Sequence, residues 1–126
     1  MDNAEASTFT REWADGWNSH DLDQILRHYS LDVVFRSPVA KQIVQGSDGI
    51  IRGKSALRTY WAEGLRRSPD LHFDVLDTYV GIDIIVINYR NQLGRLVCEV
   101  LEFDGALVVR GSGTYLDELS ASKGPE

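Results

Sequence analysis

Apolar residues recur along the first part of the chain with the period of an α-helix. From Thr8 to Asn18 the pattern predicts an amphipathic helix whose inner face carries Phe9, Trp13, Ala14 and Trp17. The segment Asp21-Leu22-Asp23-Gln24 has the form of a capping box and predicts a second, short helix with Tyr29 on its apolar face. A third helix is predicted from about Lys54 to Arg67, between a glycine and a proline.

The remaining segments alternate with the period of two that is typical of β-strands. "DVVFRS", residues 32–37, predicts a short strand closed by Pro38, and "QGSDGIIRG", residues 45–53, predicts a loop or a frayed hairpin. Four further strands are predicted at about Leu71–Tyr79, Asp83–Asn91, Leu96–Phe103 and Leu107–Leu116. Because their connections are short, these four strands should pair as antiparallel hairpins.

Three helices followed by a meander of strands predict an α+β domain. The mainly antiparallel sheet must curve around the three N-terminal helices, because only then are both apolar faces buried. A chain of 126 residues matches one ordinary domain. We assign residues 8–117 to this domain, residues 1–7 to a disordered N-terminus and residues 118–126 to a flexible C-terminal tail.

Composition excludes several classes of partner. No apolar run approaches the roughly 18 residues that a membrane span requires, so we expect no membrane association. The net charge of −6 comes without a cluster of Lys and Arg, which argues against nucleic acid. Cys98 is the single cysteine and no histidine pair has metal-ligand spacing, so we predict no metal site. The opening "MDNAEAST" lacks the features of a signal peptide, which predicts a cytoplasmic protein.

Glu99 interrupts an otherwise apolar strand, "LVCEVLEF", residues 96–103. Alternation places it on the same face as the larger apolar side chains Val97, Leu101 and Phe103. A carboxyl group that faces an apolar cavity has a raised pKa through desolvation, which suits it to give or take a proton near neutral pH. Glu99 is therefore the candidate catalytic residue.

The register of the last hairpin decides where Glu99 points. A two-residue turn, Asp104-Gly105, pairs Glu99 with Arg110 as a structural ion pair. A three-residue turn, Asp104-Gly105-Ala106, pairs Glu99 with Gly111 and leaves space for a cavity beside Tyr115. The second register matches the apolar faces better and is the one we favour, although Asp-Gly is a strong signal for a two-residue turn.

Three motifs carry a family resemblance over about residues 9–116. They are "W-x-x-x-W-N-S-H-D-L-D-x-I-L-x-H-Y-S-L-D-V-V-F-R-S-P", "G-K-S-A-L-R-x-Y-W" and "E-V-L-E-F-D-G-x-L-V-V-R-G". Their order resembles the SnoaL-like branch of the nuclear-transport-factor-2-like superfamily. The resemblance implies a cystatin-like α+β cone with an apolar pocket, and frequent dimers through the sheet. Its members include isomerases, cyclases and proteins that only bind, so the fold leaves the function open.

The isomerase branch gives a comparison at single residues. Where that branch has an Asp-Pro-Val base, this chain has Ser37-Pro38-Val39, and a serine cannot take a proton from carbon at neutral pH. Where the branch has an oxyanion-hole tyrosine, this chain has Trp13, a single N–H donor. The branch's second oxyanion-hole group, a protonated aspartate, corresponds to Glu99 ahead of Phe103. The resemblance thus implies a functional carboxyl at Glu99.

Two functions are open from the sequence. The first is an enzyme that performs acid/base chemistry without an organic cofactor on a small apolar carbonyl or polyketide-like compound, with Trp13, Tyr29 or Tyr115 as hydrogen-bond donors. The second is a non-catalytic ligand-binding or dimeric module in which Glu99 is satisfied by Arg110, Arg90 or Asn88. Residues that should contact the ligand are Trp13, Trp17, Tyr29, Phe35, Ser37, Trp61, Tyr89, Leu101 and Tyr115.

We also expect the protein to form a homodimer. The outward parity of the meander carries apolar residues beside polar ones, which favours contact between two copies through the sheet: Val100, Val108 and Leu76.

Overall fold

Helices and one sheet make up the fold. The structure, a computed structural model, describes residues 1–117. In chain order the elements are α1 (Asn3–Asn18), α2 (Leu22–Leu26), β1 (Tyr29–Arg36), α3 (Pro38–Ile43), β2 (Ile50–Arg52), α4 (Lys54–Arg67), β3 (Asp74–Val80), β4 (Ile84–Arg90), β5 (Leu96–Asp104) and β6 (Leu107–Tyr115). The six strands form one sheet in the order β2-β1-β6-β5-β4-β3. The predicted α+β class with a mainly antiparallel sheet is confirmed, and β1 and β6 form its parallel pair.

The helices cover one face of this sheet and enclose a core rich in aromatic side chains. Trp13 of α1, Trp61 of α4 and Tyr89 of β4 are all buried in it. Bulges interrupt the pairing of β1 with β6, of β3 with β4 and of β5 with β6. Because a bulge bends its strand and increases the local twist, these irregularities help the sheet to curve over the helices.

The N-terminus is more ordered than the sequence pattern predicted. Helix α1 begins at Asn3, because the Asp2 side chain accepts a hydrogen bond from the backbone N–H of Glu5 at 2.8 Å and the Glu5 carboxylate accepts one from Asp2 N–H at 3.2 Å. This capping box satisfies two N–H groups of the first turn. Ala6 is buried in the core. The prediction that residues 1–7 are disordered, and that the helix starts near Thr8, was wrong.

Tyr29 belongs to a strand rather than to the second helix. Helix α2 ends at Leu26, and β1 begins at Tyr29, which pairs in parallel with Val108 of β6. The prediction that Tyr29 lies on the apolar face of the second helix was therefore wrong. A parallel pairing across nearly eighty residues leaves no local pattern that could have predicted it.

Two short elements between β1 and α4 were absent from the sequence prediction. Ser37 caps α3, since its Oγ accepts the Val39 N–H at 3.1 Å and Pro38 occupies the first helical turn. Residues 50–52, expected as a loop or a frayed hairpin, form β2 and pair with β1. Strand β3 begins at Asp74, later than the predicted Leu71.

The β5–β6 hairpin follows neither predicted register. Glu99 pairs with Gly113 and Leu101 with Gly111, because Gly105 and Ala106 form the turn and a bulge lies between Glu102 and Phe103. Alternation along β5 gives Glu99 the predicted inward face, and because the shift from the favoured register is an even number of residues, Gly111 and Gly113 still share that face. The alternative ion pair with Arg110 is excluded, because the Arg110 Nε donates to Glu102 at 2.8 Å on the outer face.

The outward face of the sheet carries the residues that the predicted dimer would use. Leu76 is exposed and Val100 is half-buried, so both have the outward position that was predicted for them, while the dimer itself stays a prediction. Val108 is fully buried instead, since it pairs with Phe103 beyond the bulge and faces the core. Within residues 1–117 no helix is long and apolar enough to cross a membrane. The predicted flexible tail, residues 118–126, lies outside the described residues.

Candidate functional site

A cavity of about 320 Å³ opens between the helices and the concave face of the sheet. This volume falls at the lower end of the range for small-molecule sites. Its wall is rich in aromatic side chains, which come from α1, β1, α4, β4, β6 and the segment before β3: Trp13, Trp17, Phe35, Tyr60, Trp61, Phe73, Tyr89 and Tyr115. Such a wall suits a ligand with a flat, largely apolar body.

Glu99 lies in this wall and is only 6% exposed. The Tyr89 hydroxyl, on the adjacent strand β4, donates a hydrogen bond to Glu99 Oε1 at 3.1 Å. Gly113 is directly across on β6, and a Cβ added there would lie 3.7 Å from Glu99 Oε1 and 3.5 Å from Ser37 Oγ. A larger side chain at position 113 would therefore fill the space in front of the carboxyl group. The glycine leaves that space to a ligand.

Burial sets the protonation of this carboxyl group. Desolvation raises the pKa of Glu99 from 4.5 to about 7, and the hydrogen bond from Tyr89 opposes that rise only in part. Burial also raises the pKa of Tyr60, Tyr89 and Tyr115, to which the nearby Glu99 charge adds. The three phenols therefore remain protonated donors at neutral pH, while Glu99 is divided between its acid and its carboxylate form.

Trp13 and Tyr29 form a hydrogen bond with one another. The Trp13 Nε1–H donates to the Tyr29 hydroxyl oxygen at 3.2 Å, within the core. Trp13 lines the cavity with its ring, but its single donor is already engaged. The donor that the sequence assigned to a ligand thus has a partner within the fold, and its role toward a ligand stays a prediction. Tyr29 and Leu101, also expected to contact the ligand, lie in the core behind the cavity wall.

The other sequence-predicted residues meet around the cavity. Together with Glu99 and Trp13, six of the expected side chains line it: Trp17, Phe35, Ser37, Trp61, Tyr89 and Tyr115. Their location agrees with the prediction, whereas their roles toward a ligand stay predictions. The residues expected to contact the ligand did not include Tyr60, although the helical pattern turns it inward beside Trp61. They also did not include Phe73 and the polar residues of the β4–β5 turn that reach the cavity: Asn91, Gln92 and Arg95.

The three polar partners proposed for Glu99 from the sequence are occupied elsewhere. Arg110 binds Glu102 on the outer face. Arg90 donates to the Gly94 carbonyl at 2.9 Å, and the Asn88 side chain accepts from the Cys98 thiol at 3.8 Å. Both Arg90 and Asn88 have the outward parity of β4, opposite to that of Tyr89. The observed partner, Tyr89, was predicted only as a ligand contact.

Within residues 1–117 no group of three or more His, Cys, Asp or Glu side chains is placed to hold a metal ion.

Comparisons with known proteins place the fold. A SnoaL-like protein of unknown function from Burkholderia thailandensis is 43% identical, with 93% of this chain and 99% of that chain covered and a TM-score of 0.86. Two more distant structures share the fold. One is a protein with a cystatin-like fold from Methylobium petroleophilum, which is 15% identical, with 93% of this chain and 79% of that chain covered and a TM-score of 0.72. The other is a candidate polyketide cyclase from Sinorhizobium meliloti, which is 11% identical, with 90% of this chain and 100% of that chain covered and a TM-score of 0.71. No curated protein matches significantly. The family model of the SnoaL-like domain matches residues 10–111, and the chain therefore belongs to the SnoaL-like domain family.

Proposed function

We propose that this protein is an enzyme that moves a proton on a small, largely apolar carbonyl or polyketide-like compound, with Glu99 as the acid/base group. The observation that carries the proposal is a buried carboxyl that faces an aromatic cavity with its pKa raised to about 7. A group with its pKa near the working pH is the most effective general acid or base. Proton transfer of this kind underlies isomerisation, cyclisation, hydration and dehydration of carbonyl compounds.

Glu99 would serve both halves of such a transfer. Its carboxylate form removes a proton from the carbon next to a carbonyl group, which leaves an enolate, and the resulting acid returns a proton to that enolate to give the product. The negative charge that develops on the substrate oxygen needs hydrogen-bond donors. Tyr60 and Tyr115 line the same cavity, and their raised pKa values keep their hydroxyls protonated. We therefore assign oxyanion stabilisation to these two tyrosines.

Ser37 has a structural task that fits this assignment. Its hydroxyl oxygen accepts the Val39 N–H and so caps α3 beside the cavity, which Ser37 lines. No proton transfer is assigned to it. The likeness in fold to a candidate polyketide cyclase is consistent with a ring-bearing oxygenated substrate.

One observation favours a second function, binding without chemistry. Among the described residues that line the cavity, Glu99 is the single carboxylate, so a reaction that needs a separate acid and base would lack one of them. In that case Glu99 and Tyr89 would position a ligand by hydrogen bonds alone. The two functions differ in one measurable property, the exchange of protons on carbon.

Exchange of the activated α-protons of 2-tetralone with D₂O, followed by NMR, tests the proposal. The compound is a small bicyclic ketone with the flat apolar body that the cavity suits. We expect the wild-type protein to accelerate exchange and Glu99→Gln to reduce the acceleration by about 10²- to 10⁴-fold, because glutamine keeps the shape but cannot take a proton. Binding of 2-tetralone without any acceleration would overturn the catalytic proposal in favour of binding.

Glu102→Gln provides a matched control. Glu102 is on the same strand but on the outer face, where it binds Arg110. This variant removes a carboxylate of β5 without touching the cavity, so it should exchange 2-tetralone protons at the wild-type rate. An equal loss in both glutamine variants would point to a change in the strand rather than to proton transfer by Glu99.

A further inference from the structure

Trp17 carries a hydrogen-bond donor that the folded chain does not use. Its side chain is 6% exposed, yet the indole Nε1–H is buried without a hydrogen-bond partner among the described residues. The neighbouring Trp13 shows the usual situation, because its indole N–H donates to Tyr29. Buried polar groups are nearly always paired, so an unpaired donor in the wall of a cavity requires an explanation.

The Trp17 indole and Glu99 occupy different parts of the cavity wall. The Phe73 ring lies between them, with its centroid 4.3 Å from that of Tyr89, which binds Glu99, and 5.4 Å from that of Trp17. On its other side Trp17 packs edge-on against Trp61 at 5.0 Å. A flat ligand that lies along this aromatic wall can thus present separate atoms to Glu99 and to Trp17.

A second unpaired polar atom belongs to Gln92, a residue of the β4–β5 turn that lines the same cavity. The side-chain Oε1 of Gln92 is buried and also has no partner among the described residues. The residues of the cavity wall therefore hold one spare donor, on α1, and one spare acceptor, on the turn. A ligand whose polar groups pair with them gains affinity that a purely apolar ligand does not.

We propose that the ligand of this cavity carries a second oxygen function, separate from the carbonyl oxygen that Tyr60 and Tyr115 stabilise beside Glu99, and that the Trp17 indole N–H donates a hydrogen bond to it. The inference rests on the proposed function in that it uses the same cavity. The substrate class is narrowed to flat ring compounds with two separated oxygens, and the acceptor on Gln92 favours a hydroxyl as one of them. Trp17 is then a specificity-determining residue that takes no part in proton transfer.

Calorimetric titration with naphthols tests this assignment. The probes are 2-naphthol, with one hydroxyl, and the 1,5-, 2,6- and 2,7-dihydroxynaphthalenes, whose two hydroxyls are equivalent by symmetry. Whichever hydroxyl of a diol meets Glu99, the other is directed elsewhere along the wall. A diol has two equivalent hydroxyls and therefore two equivalent ways to bind, which by itself gives a statistical factor of about two in affinity. With this factor included, we expect at least one diol to bind the wild-type protein roughly 5- to 20-fold more tightly than 2-naphthol.

The Trp17→Phe variant keeps a ring and removes the donor. The preference for that diol should fall to the statistical factor of about two, whereas the affinity for 2-naphthol should change little. Trp13→Phe is the matched control: it alters the same wall but removes a donor already bound to Tyr29, so it should weaken both probes alike. In ¹H–¹⁵N spectra the Trp17 indole resonance should shift more with the diol than with 2-naphthol.

The outcomes separate this inference from the proposed function. A wild-type protein that prefers no diol, or a preference that persists in Trp17→Phe, overturns the role of Trp17 and leaves Glu99 catalysis untouched. A preference lost in Trp17→Phe without any exchange of 2-tetralone protons supports the role of Trp17 and overturns the catalytic proposal. Failure of the wild-type protein to bind any of the four naphthols overturns the role of Trp17, and the exchange of 2-tetralone protons then decides the catalytic proposal by itself.

Discussion

Replacement of Glu99 by glutamine should change the pH dependence of folding stability. Glutamine has nearly the same shape and can still accept the hydrogen bond from Tyr89, but it is neutral at every pH. The wild-type carboxyl must instead carry a charge in a buried site once the pH exceeds its pKa. The comparison of the two proteins therefore isolates the free energy of burying that charge.

The size of the effect follows from the shift in the Glu99 pKa, from 4.5 to about 7. Between these values the folded protein holds a proton that the unfolded chain has released. The stabilisation by this group is complete below the unfolded pKa and is lost as the pH rises through the folded pKa. At about 1.4 kcal/mol for each unit of pKa, the wild-type protein should lose roughly 3 kcal/mol of unfolding free energy relative to Glu99→Gln.

Urea unfolding of both proteins from about pH 4 to about pH 8.5 measures this difference. Other groups titrate in the same range, such as His28, whose pKa burial lowers, but they are common to both proteins and cancel. As the pH rises, the unfolding free energy of Glu99→Gln should increase relative to that of the wild type, whereas that of the surface control Glu102→Gln should not. A difference that stays constant across the range, or a Glu99 carboxyl that titrates by NMR near 4.5, would refute the reasoning.

Three other predictions concern the core, the glycines and the assembly. Trp61→Ala should cost about 3–5 kcal/mol in urea unfolding, because the side chain is 5% exposed, and an unchanged midpoint would contradict its burial. Gly111→Ala should lower the unfolding free energy by about 1–3 kcal/mol, because the new Cβ would lie 2.8 Å from Phe35. Gly113→Ala should keep the wild-type melting temperature, because the nearest contact of its Cβ is at 3.5 Å. Equal losses of stability in the two variants would disprove the distinction. We propose that two copies pair through the outer face of the sheet, so light scattering at tens of micromolar should give a dimer that Val100→Glu dissociates, and a monomeric wild-type protein would rule the pairing out.

The pattern of the chain predicted the face of β5 on which Glu99 lies, although the turn assumed for the hairpin was wrong. A strand alternates with a period of two, so the apolar neighbours of Glu99 on β5 are enough to give its inward direction, whatever the register with β6. The same local logic predicted α1 and α4 with most of their inward aromatic residues, such as Trp13 and Trp61.

Contacts between distant segments were beyond the reach of that logic. Tyr29 continues a helical pattern after Leu26, yet it joins a parallel pair with β6, and such a pairing is set by long-range packing. The placement of Val108 on the outer face failed because a bulge within β6, where Val109 is the extra residue, changed the parity of that strand. The polar residues of the β4–β5 turn reach the cavity without any periodic signal, so Gln92 could not be identified in advance.

The sequence by itself determined the class of fold, the order of most elements and a carboxyl group on an apolar face, because each of these depends on the period of neighbouring side chains. The tertiary structure alone decided that Tyr89 is the partner of Glu99, that the Trp13 donor is engaged by Tyr29 and that the Trp17 donor is not. These properties depend on which side chains from separate elements approach within hydrogen-bonding distance. The raised pKa of Glu99 has the same origin, since the elements that exclude water from it are brought together only by folding.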